Sequence, residues 1–320
     1  MKKITIIIPC FNEGEAVLNA YQNIYRTFLK QMPINWDLLF IDDGSTDKTA
    51  SLLMQLNKRD KKVKGLSFSR NFGHQAAIQA GIDYCSSDYI GIIDCDLQDP
   101  IETLIKLFEN VYKKKYDVAY GIRTKRKESI LLRIGYSLFY KAINLISDSN
   151  WPENVGDFCV VNRKAANLIK GFPEKTKILR GLRAYIGLNQ VGIPYERPKR
   201  IYGTSKYNLI KLSQLAISSF VSFSSLPLRL SSLVGFLLGF VGVLLCFVLI
   251  LNRIKPELFP FGYFIGSNPG ITTLALLYLF FTSMILFTLG IIGEYMNYIL
   301  TELKARPTYI VKSKIGKIQK

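Results

Sequence analysis

Tyr89-Ile90-Gly91-Ile92-Ile93-Asp94-Cys95-Asp96-Leu97-Gln98-Asp99-Pro100 is the stretch on which the fold turns. Its first five residues are apolar and mostly β-branched, the composition of a buried strand. Its last seven are acidic and end in a proline. Asp94 and Asp96 stand one residue apart at the strand end, so their carboxylates point to the same side and can grip one hard cation. Mg2+ and Mn2+ take oxygen ligands and bridge protein carboxylates to substrate phosphates, which makes this a seat for a nucleoside diphosphate. A polar turn is the alternative, because Asp fills turns everywhere. Asp99 reads differently. It precedes Pro100 and lies three residues before Glu102, the pattern of an N-cap, a proline at the first helical position and a capping-box acid. Capping of a helix over Ile101–Lys115 then accounts for Asp99 and leaves Asp94 and Asp96 as the candidates for chemistry.

Upstream, the same pattern repeats. Lys3–Pro9 is a β-branched run suited to a covered parallel strand, followed by a polar loop and a helix over Ala16–Lys30. Trp36–Ile41 is a second strand, ending in Asp42-Asp43-Gly44-Ser45-Thr46-Asp47 before a helix to about Asn57. Lys64–Phe68 is a third, followed by Ser69-Arg70-Asn71-Phe72-Gly73-His74 and a helix near Gln75–Cys85. Alternating strand and helix predicts an α/β layer with a mostly parallel sheet, whose ligands bind at the carboxyl ends of the strands. Polar clusters stand at those ends in all four units. A further strand is expected over Asp117–Gly121, and a helix over Ile130–Leu145 on which Arg133 and Ser137 face the same way. With Arg123, which follows that strand, they suit a phosphate monoester. Solvated surface charge is the other account of the two arginines.

Composition adds a membrane. Mean hydropathy is +0.17 although the 320 residues include 42 Lys and Arg, with a net charge of +18. Ser231–Asn252 and Gly270–Gly293 carry no charge, and each exceeds the roughly 20 residues that span a bilayer as a helix. Basic residues are sparse between them and dense outside, which puts both termini in the cytoplasm and the Arg253–Pro269 loop on the far side. Lys211–Arg229 reads as an interfacial helix broken near Pro227. Gly235 and Gly239 give the first span a small-residue packing face, and Glu294 closes the second at the interface. The N-terminal apolar run stops at Pro9, too short for a signal peptide. The excess of basic residues suits an anionic leaflet; no motif or basic-aromatic interleaving points to nucleic acid. The run Lys58–Lys64 reads as a solvated loop. Five cysteines without a Cys-x-x-Cys pair fit reduced thiols, and the lone histidine, His74, cannot build a multi-histidine metal site.

The pieces IIIPCFNEGEAV, IDDGSTDKT, SRNFGHQAAIQAG, DCDLQDPIE, VGDFCVVNRKA and RIYGTSKYN, in this order, resemble the motif series of polyprenyl-phosphate glycosyltransferases. These belong to the second family of inverting glycosyltransferases and include dolichol-phosphate mannose synthases and bactoprenol glucosyltransferases. The resemblance covers residues 4–229 and extends to the tail GEYMNYILTELKARPTYIV. It implies a GT-A-type fold, a sugar-nucleotide donor, Mg2+ or Mn2+, and a lipid-phosphate acceptor such as undecaprenyl phosphate. Pro9, Asn12, Glu13, Asp42 and Asp43 match its nucleoside-binding positions. Asp94 and Asp96 match the metal pair and Gln98 a third metal contact. Arg200 and Lys206 match the loop that closes over the donor, with Gly203 and Ser205 for flexibility; a headgroup-binding basic cluster is the alternative. Arg123, Arg133 and Ser137 match the lipid-phosphate contacts. Asp157 matches the position usually named the base. A phosphate monoester is mostly dianionic at neutral pH, so Asp157 either takes a proton or orients a substrate.

The organisation expected is a catalytic domain over 1–210, an interfacial region over 211–229, a two-helix membrane hairpin over 230–298 and a basic cytoplasmic tail over 299–320. A homo-oligomer, such as the tetramers formed by relatives with similar tails, is implied by the resemblance. UDP-glucose is the first donor expected, with mannose, N-acetylglucosamine and aminoarabinose donors as alternatives. A processive polysaccharide synthase would need more membrane helices and a Gln-x-x-Arg-Trp motif, which this sequence lacks. A non-catalytic scaffold on a transferase fold is the reading from another class, and the retained acids Asp94, Asp96 and Asp157 weigh against it.

Overall fold

The computed structural model of the chain describes residues 2–29, 34–124, 154–175, 177–197 and 269–318, with scattered positions between 231 and 247. They divide into two compact units, Met1–Ser213 with Ala305–Lys320, and Gln214–Lys304. Arg133, Ser137, Arg200 and Lys206 lie outside the described residues, as do the expected interfacial helix and most of the first expected span.

In the first unit the four predicted strand–helix pairs form. They are β1 (Lys3–Cys10), α1 (Gly14–Ile24), β2 (Asn35–Asp42), α2 (Thr49–Arg59), β3 (Val63–Phe68), α3 (His74–Asp83), β4 (Tyr89–Ile92) and α4 (Ile101–Tyr112). The helix expected to reach Lys30 instead passes into a π turn over Tyr25–Leu29. Then come β5 (Val118–Arg123), β6 (Val155–Asn162), α5 (Arg163–Gly171), α6 (Leu179–Tyr185), β7 (Gln190–Tyr195) and β8 (Val311–Ile315). One eight-stranded sheet holds them in the order β7-β5-β6-β4-β1-β2-β3-β8. Only β6 and β8 run against the rest, so the sheet is mostly parallel, as expected.

Both faces of the sheet are covered, which explains the unbroken apolar run of β1. Ile4, Ile6 and Ile8 pack with Val17 of α1, Leu53 of α2 and Leu104 of α4. Ile7 points the other way, into a second core with Ile78 of α3, Ile169 of α5 and Leu182 of α6. A fully buried side chain of this kind contributes about 1.5–3 kcal/mol, so the alternation along β1 fixes its register firmly.

Two expectations are corrected here. The end of the chain is no free tail: Val311–Ile315 pairs antiparallel with β3, with Gly65 opposite Ile315. Alternation of Val and Ile with Lys and Ser marks it as an edge strand, whose lysines protect an exposed rim. Lys58–Lys64 is not wholly a solvated loop either, since Lys64 sits in β3 and pairs with Asp37 at 2.7 Å.

The second unit is described chiefly through α7 (Pro269–Leu303), a single helix that runs on past Glu294. Within it, Phe280–Leu303 has the length and mean hydropathy, 1.3, to cross a bilayer, with none of its most apolar stretch buried. It is the one such segment among the described residues.

Candidate active site

β1 has β2 on one side and β4 on the other, so strand order reverses at their carboxyl ends, where open α/β sheets bind ligands. The loops leaving β1 and β4 are Phe11–Glu13 and Asp94–Pro100. β6 lies antiparallel to β4 with Ile90 opposite Val161 and Ile92 opposite Cys159. Continued by two residues, that register brings Asp157 across from Asp94. Sheet geometry thus gathers two acids that are far apart in sequence.

Between them stands His74, the first residue of α3. Its Nε2 lies 3.6 Å from Asp94 Oδ1 and 3.7 Å from Asp157 Oδ2. Gln75 Nε2 donates to Asp157 Oδ2 at 2.6 Å, and Gln75 Oε1 accepts the Leu179 N–H at 3.0 Å. Asp157 Oδ1 is buried with no hydrogen-bond partner. A buried acceptor left open in this way is costly unless a ligand fills it. Asp96 is nearly buried, and its Oδ1 accepts the Gln98 backbone N–H at 3.2 Å. Leu97 between them has φ of 52°, a left-handed conformation that a residue with a Cβ rarely adopts.

The residues expected to hold the nucleoside also tie the loops together. Pro9 lies in β1 opposite Ile41 of β2. Asn12, at φ of 51°, accepts the Thr46 N–H on Oδ1 at 2.8 Å, while its own N–H reaches Ser45 Oγ at 2.9 Å. Glu13 N–H donates to Thr49 Oγ1 at 3.1 Å. Asp42 Oδ1 caps the following turn through Ser45 N–H at 2.9 Å. Asp43 receives the N–H groups of Phe72 at 2.7 Å and Gly73 at 2.9 Å on its two oxygens. Burial pushes the Asp43 carboxyl up, against the downward pull of those two hydrogen bonds. Gly73 has φ of 101°, so glycine is needed where Asp43 turns the chain into α3. Asp43 thereby sets the position of His74.

A basic flank faces the acids. Arg123 Nε donates to Tyr195 Oη at 3.1 Å, and the Tyr195 hydroxyl donates to Asp99. Burial and Asp99 push the Tyr195 hydroxyl up, so it remains a proton donor at neutral pH. Arg197 reaches Asp94 Oδ2 with Nη2 at 3.6 Å and Asp99 Oδ1 with Nε at 3.6 Å. Asp99 is therefore not a helix cap, which corrects the capping expectation. α4 begins after Pro100 with no side-chain cap, and Asp99 is turned inward at 1% exposure to meet Tyr195 and the arginines. Burial, helped by the charge of Asp94, pushes the Asp99 carboxyl up to about 6, against the pull of Arg197 and Arg123.

The donor set suits a hard cation that travels with phosphate. Asp94 keeps 31% side-chain exposure, so its carboxylate is open to ligands. Among the described residues no group of three or more His, Cys, Asp or Glu converges as a closed cage. Two carboxylates are what Mg2+ commonly takes from protein, the rest of its shell coming from water and phosphate oxygens. Asp94 and Asp96 fit that role. The cysteines nearby do not compete as nucleophiles: burial pushes the Cys10 and Cys95 thiols well up.

Comparison with known proteins decides the class. Residues 5–169 match the profile of the family described as glycosyl transferase family 2. The chain belongs to that family. It is a glycosyltransferase, and its mixed sheet covered by helices is of the GT-A type. An uncharacterised glycosyltransferase of Bacillus subtilis, YkcC, is 35% identical over 313 residues, 98% of this chain and 94% of that one. The protein of Shigella phage SfX named bactoprenol glucosyl transferase is 35% identical over 321 residues, 98% of this chain and 99% of its own. Among solved structures, the mannosyltransferase PcManGT from Pyrobaculum calidifontis, in complex with GDP-Man and Mn2+, is 15% identical. It aligns over 94% of this chain and 86% of that one at a TM-score of 0.49, too loose a likeness to argue from.

In this glycosyltransferase the structure brings Asp94, Asp96, Asp157 and Arg123 to one end of the sheet, beside Asn12, Glu13, Asp42 and Asp43. Four neighbours escaped the sequence reading: His74, Gln75, Tyr195 and Arg197. His74 and Gln75 carried a signal, since they open a helix straight after a glycine at a strand's carboxyl end. Tyr195 and Arg197 carried none, because β7 reaches the site only through its pairing beside β5.

Proposed function

We propose that this family 2 glycosyltransferase moves a hexose, glucose from UDP-glucose first among the donors, onto the phosphate of a polyprenol such as undecaprenyl phosphate. The observation that carries the reading is the meeting of Asp94 and Asp157 around His74 at the sheet's switch point, with Arg123 and Arg197 beside them. The relative named bactoprenol glucosyl transferase supports both the sugar and the lipid. The exposed apolar segment Phe280–Leu303 supports a membrane enzyme, and the charge-free run Ser231–Asn252 completes a hairpin with both termini in the cytoplasm.

The reaction is one in-line displacement with inversion. A phosphate oxygen of the acceptor bonds to the anomeric carbon as the bond to the nucleoside diphosphate breaks, and the electron pair leaves with the diphosphate. Asp94 and Asp96, with Gln98, would hold Mg2+ or Mn2+, which supplies charge stabilisation at the leaving group when bound. Pro9, Asn12, Glu13, Asp42 and Asp43 hold the nucleoside. Arg200 and Lys206 close over the donor, and Arg123, Arg133 and Ser137 receive the acceptor phosphate. A dianionic acceptor needs no general base. Asp157, clamped through one oxygen by Gln75 and with the other open, instead accepts a substrate hydroxyl and fixes its orientation.

The test is transfer from radiolabelled sugar nucleotides to undecaprenyl phosphate in detergent, with Mg2+ or with EDTA. Labelled lipid from UDP-glucose, lost with EDTA and in Asp96→Ala, is the expected result. Label from a mannose, N-acetylglucosamine or aminoarabinose donor alone would replace the sugar and keep the class. Folded protein that yields no lipid product from any donor would overturn the acceptor and favour the scaffold reading.

A further inference from the structure

Arg197 is seated unusually for an arginine. Its Nη2 and Nε stand 3.6 Å from Asp94 Oδ2 and 3.6 Å from Asp99 Oδ1, beyond the range of a hydrogen bond. Its Nε is buried and has no hydrogen-bond partner at all. A guanidinium that anchors a fold makes short, paired hydrogen bonds with carboxylates; this one meets its two described carboxylates only at ion-pair range. One of the carboxylates it faces is a member of the metal pair. The other side of that carboxylate faces His74, at 3.6 Å from Oδ1.

We infer that Arg197 is a resident counter-ion, neutralising Asp94 while no divalent ion is bound and competing with that ion for the carboxylate. The inference rests on Asp94 and Asp96 being the metal pair. Asp94 and Asp96 stand one residue apart on the loop that follows β4, and a third acid, Asp99, lies buried on the same loop within reach of the charge of Asp94. Arg123 offsets part of that charge, and without a further cation the loop Asp94–Pro100 would keep an acidic excess next to the core. Arg197 supplies that cation from β7's exit. It breaks no hydrogen bond to Asp94 or Asp99 when it leaves, so its departure from these acids costs little beyond the Coulomb contact. The resting site is thereby kept ordered, and metal affinity is held down until a nucleoside diphosphate brings further oxygens to the ion. Released, the guanidinium is matched to the diphosphate that arrives.

The experiment measures Mn2+ binding to the full-length protein in detergent micelles by electron paramagnetic resonance, without nucleotide, at low ionic strength. Arg197→Met is expected to bind Mn2+ about tenfold more tightly than wild type, as removal of a cation at this range predicts. Arg197→Lys, which keeps the charge, should stay near wild type. Lys113→Met removes one positive charge from an exposed helical pair with Glu109 and should change nothing. Arg197→Gln serves in place of the Met variant if that one does not fold. Mn2+ affinity in Arg197→Met and Arg197→Gln equal to or weaker than wild type would overturn the inference and leave the metal pair standing. Equal tightening in Lys113→Met would also overturn it, as an effect of net charge. Mn2+ binding that is absent, or unchanged in Asp94→Asn, would overturn the metal pair and the inference together.

Discussion

Gln75 Nε2 donates to Asp157 Oδ2 at 2.6 Å while Gln75 Oε1 receives the Leu179 N–H at 3.0 Å. One amide thus fastens an acid on β6 to the start of α6, and leaves that acid a single free oxygen. Gln75→Leu cuts both bonds with little change of volume. Loss of these half-buried hydrogen bonds costs about 1 kcal/mol or more, and a carboxylate free to rotate away from its substrate lowers kcat by about 10- to 100-fold. Thermal unfolding and steady-state kinetics check the two effects. Full activity in a destabilised variant would show that Gln75 serves only the fold.

The role of Asp157 separates on pH. As a general base it would be dispensable once the solution supplies hydroxide or a fully ionised acceptor. As an orienting group it would be missed equally at every pH. Asp157→Asn keeps the shape and the Gln75 contact on one side while removing the charge. The expected result is a kcat lowered by about 10- to 100-fold, the cost of a misplaced substrate, with a pH profile parallel to wild type. A deficit that closes as pH rises from 6 to 9 would restore the base.

Much of this site was legible because strand ends advertise themselves. Asp94 and Asp96 followed from an apolar run breaking into acids, and the parallel order of β1 to β4 followed from alternation with helices. Asp99 was misread for a physical reason. Asp-Pro-x-Glu is a sound capping pattern, yet the inward turn of that aspartate is fixed by the hydroxyl of Tyr195, at the end of β7, which is separated from β4 by β6 and β5. Local pattern holds no trace of such pairing. β8 was missed likewise: a short alternating segment after a long apolar helix looks like a tail until β3 offers it an edge. His74 was set aside as a lone histidine, which is a fair rule for metal cages but says nothing of a side chain placed between two acids.

Gly156 bears directly on Arg123. A Cβ built there would come within 2.8 Å of Arg123 Nη2, the movable tip of a side chain rather than backbone. Gly156→Ala should therefore fold, push the guanidinium off its bond to Tyr195, and raise KM for the lipid acceptor several-fold while KM for the donor holds. Initial rates at varied acceptor and fixed saturating donor measure this. An unchanged acceptor KM would remove Arg123 from the acceptor site.

Gly81 tests the frame beneath the site. Its Cβ would meet Ile7 Cγ2 at 2.4 Å, where α3 lies closest to β1 in a closed core. Overpacking of this kind costs about 1–3 kcal/mol. Gly81→Ala should lower Tm and also slow turnover, because α3 carries His74 and Gln75 at its first turn. Normal kcat at a temperature well below the new Tm would mean that the first turn of α3 is held by Asp43 alone, independently of how the helix body packs.

Asp99 offers a pH test of stability whose sign is unusual for a carboxylate. Burial and Asp94 raise its folded value to about 6, above the usual value near 4 for an unfolded chain. Between those two values the folded state binds more protons at Asp99 than the unfolded state does, so stability falls as pH rises through the window. Arg123, Arg197 and the Tyr195 hydroxyl pull the other way, and burial outweighs them. In Asp99→Asn this group cannot titrate. The Tm of wild type relative to Asp99→Asn should therefore drop by several degrees from pH 4 to pH 7, at about 2–4 °C per kcal/mol for a unit of this size. Differential scanning fluorimetry of both proteins in metal-free buffer reads this difference. A gap that widens in favour of wild type over the same range would mean that the arginines outweigh burial and that Asp99 is held ionised, as one corner of a salt-bridged cluster.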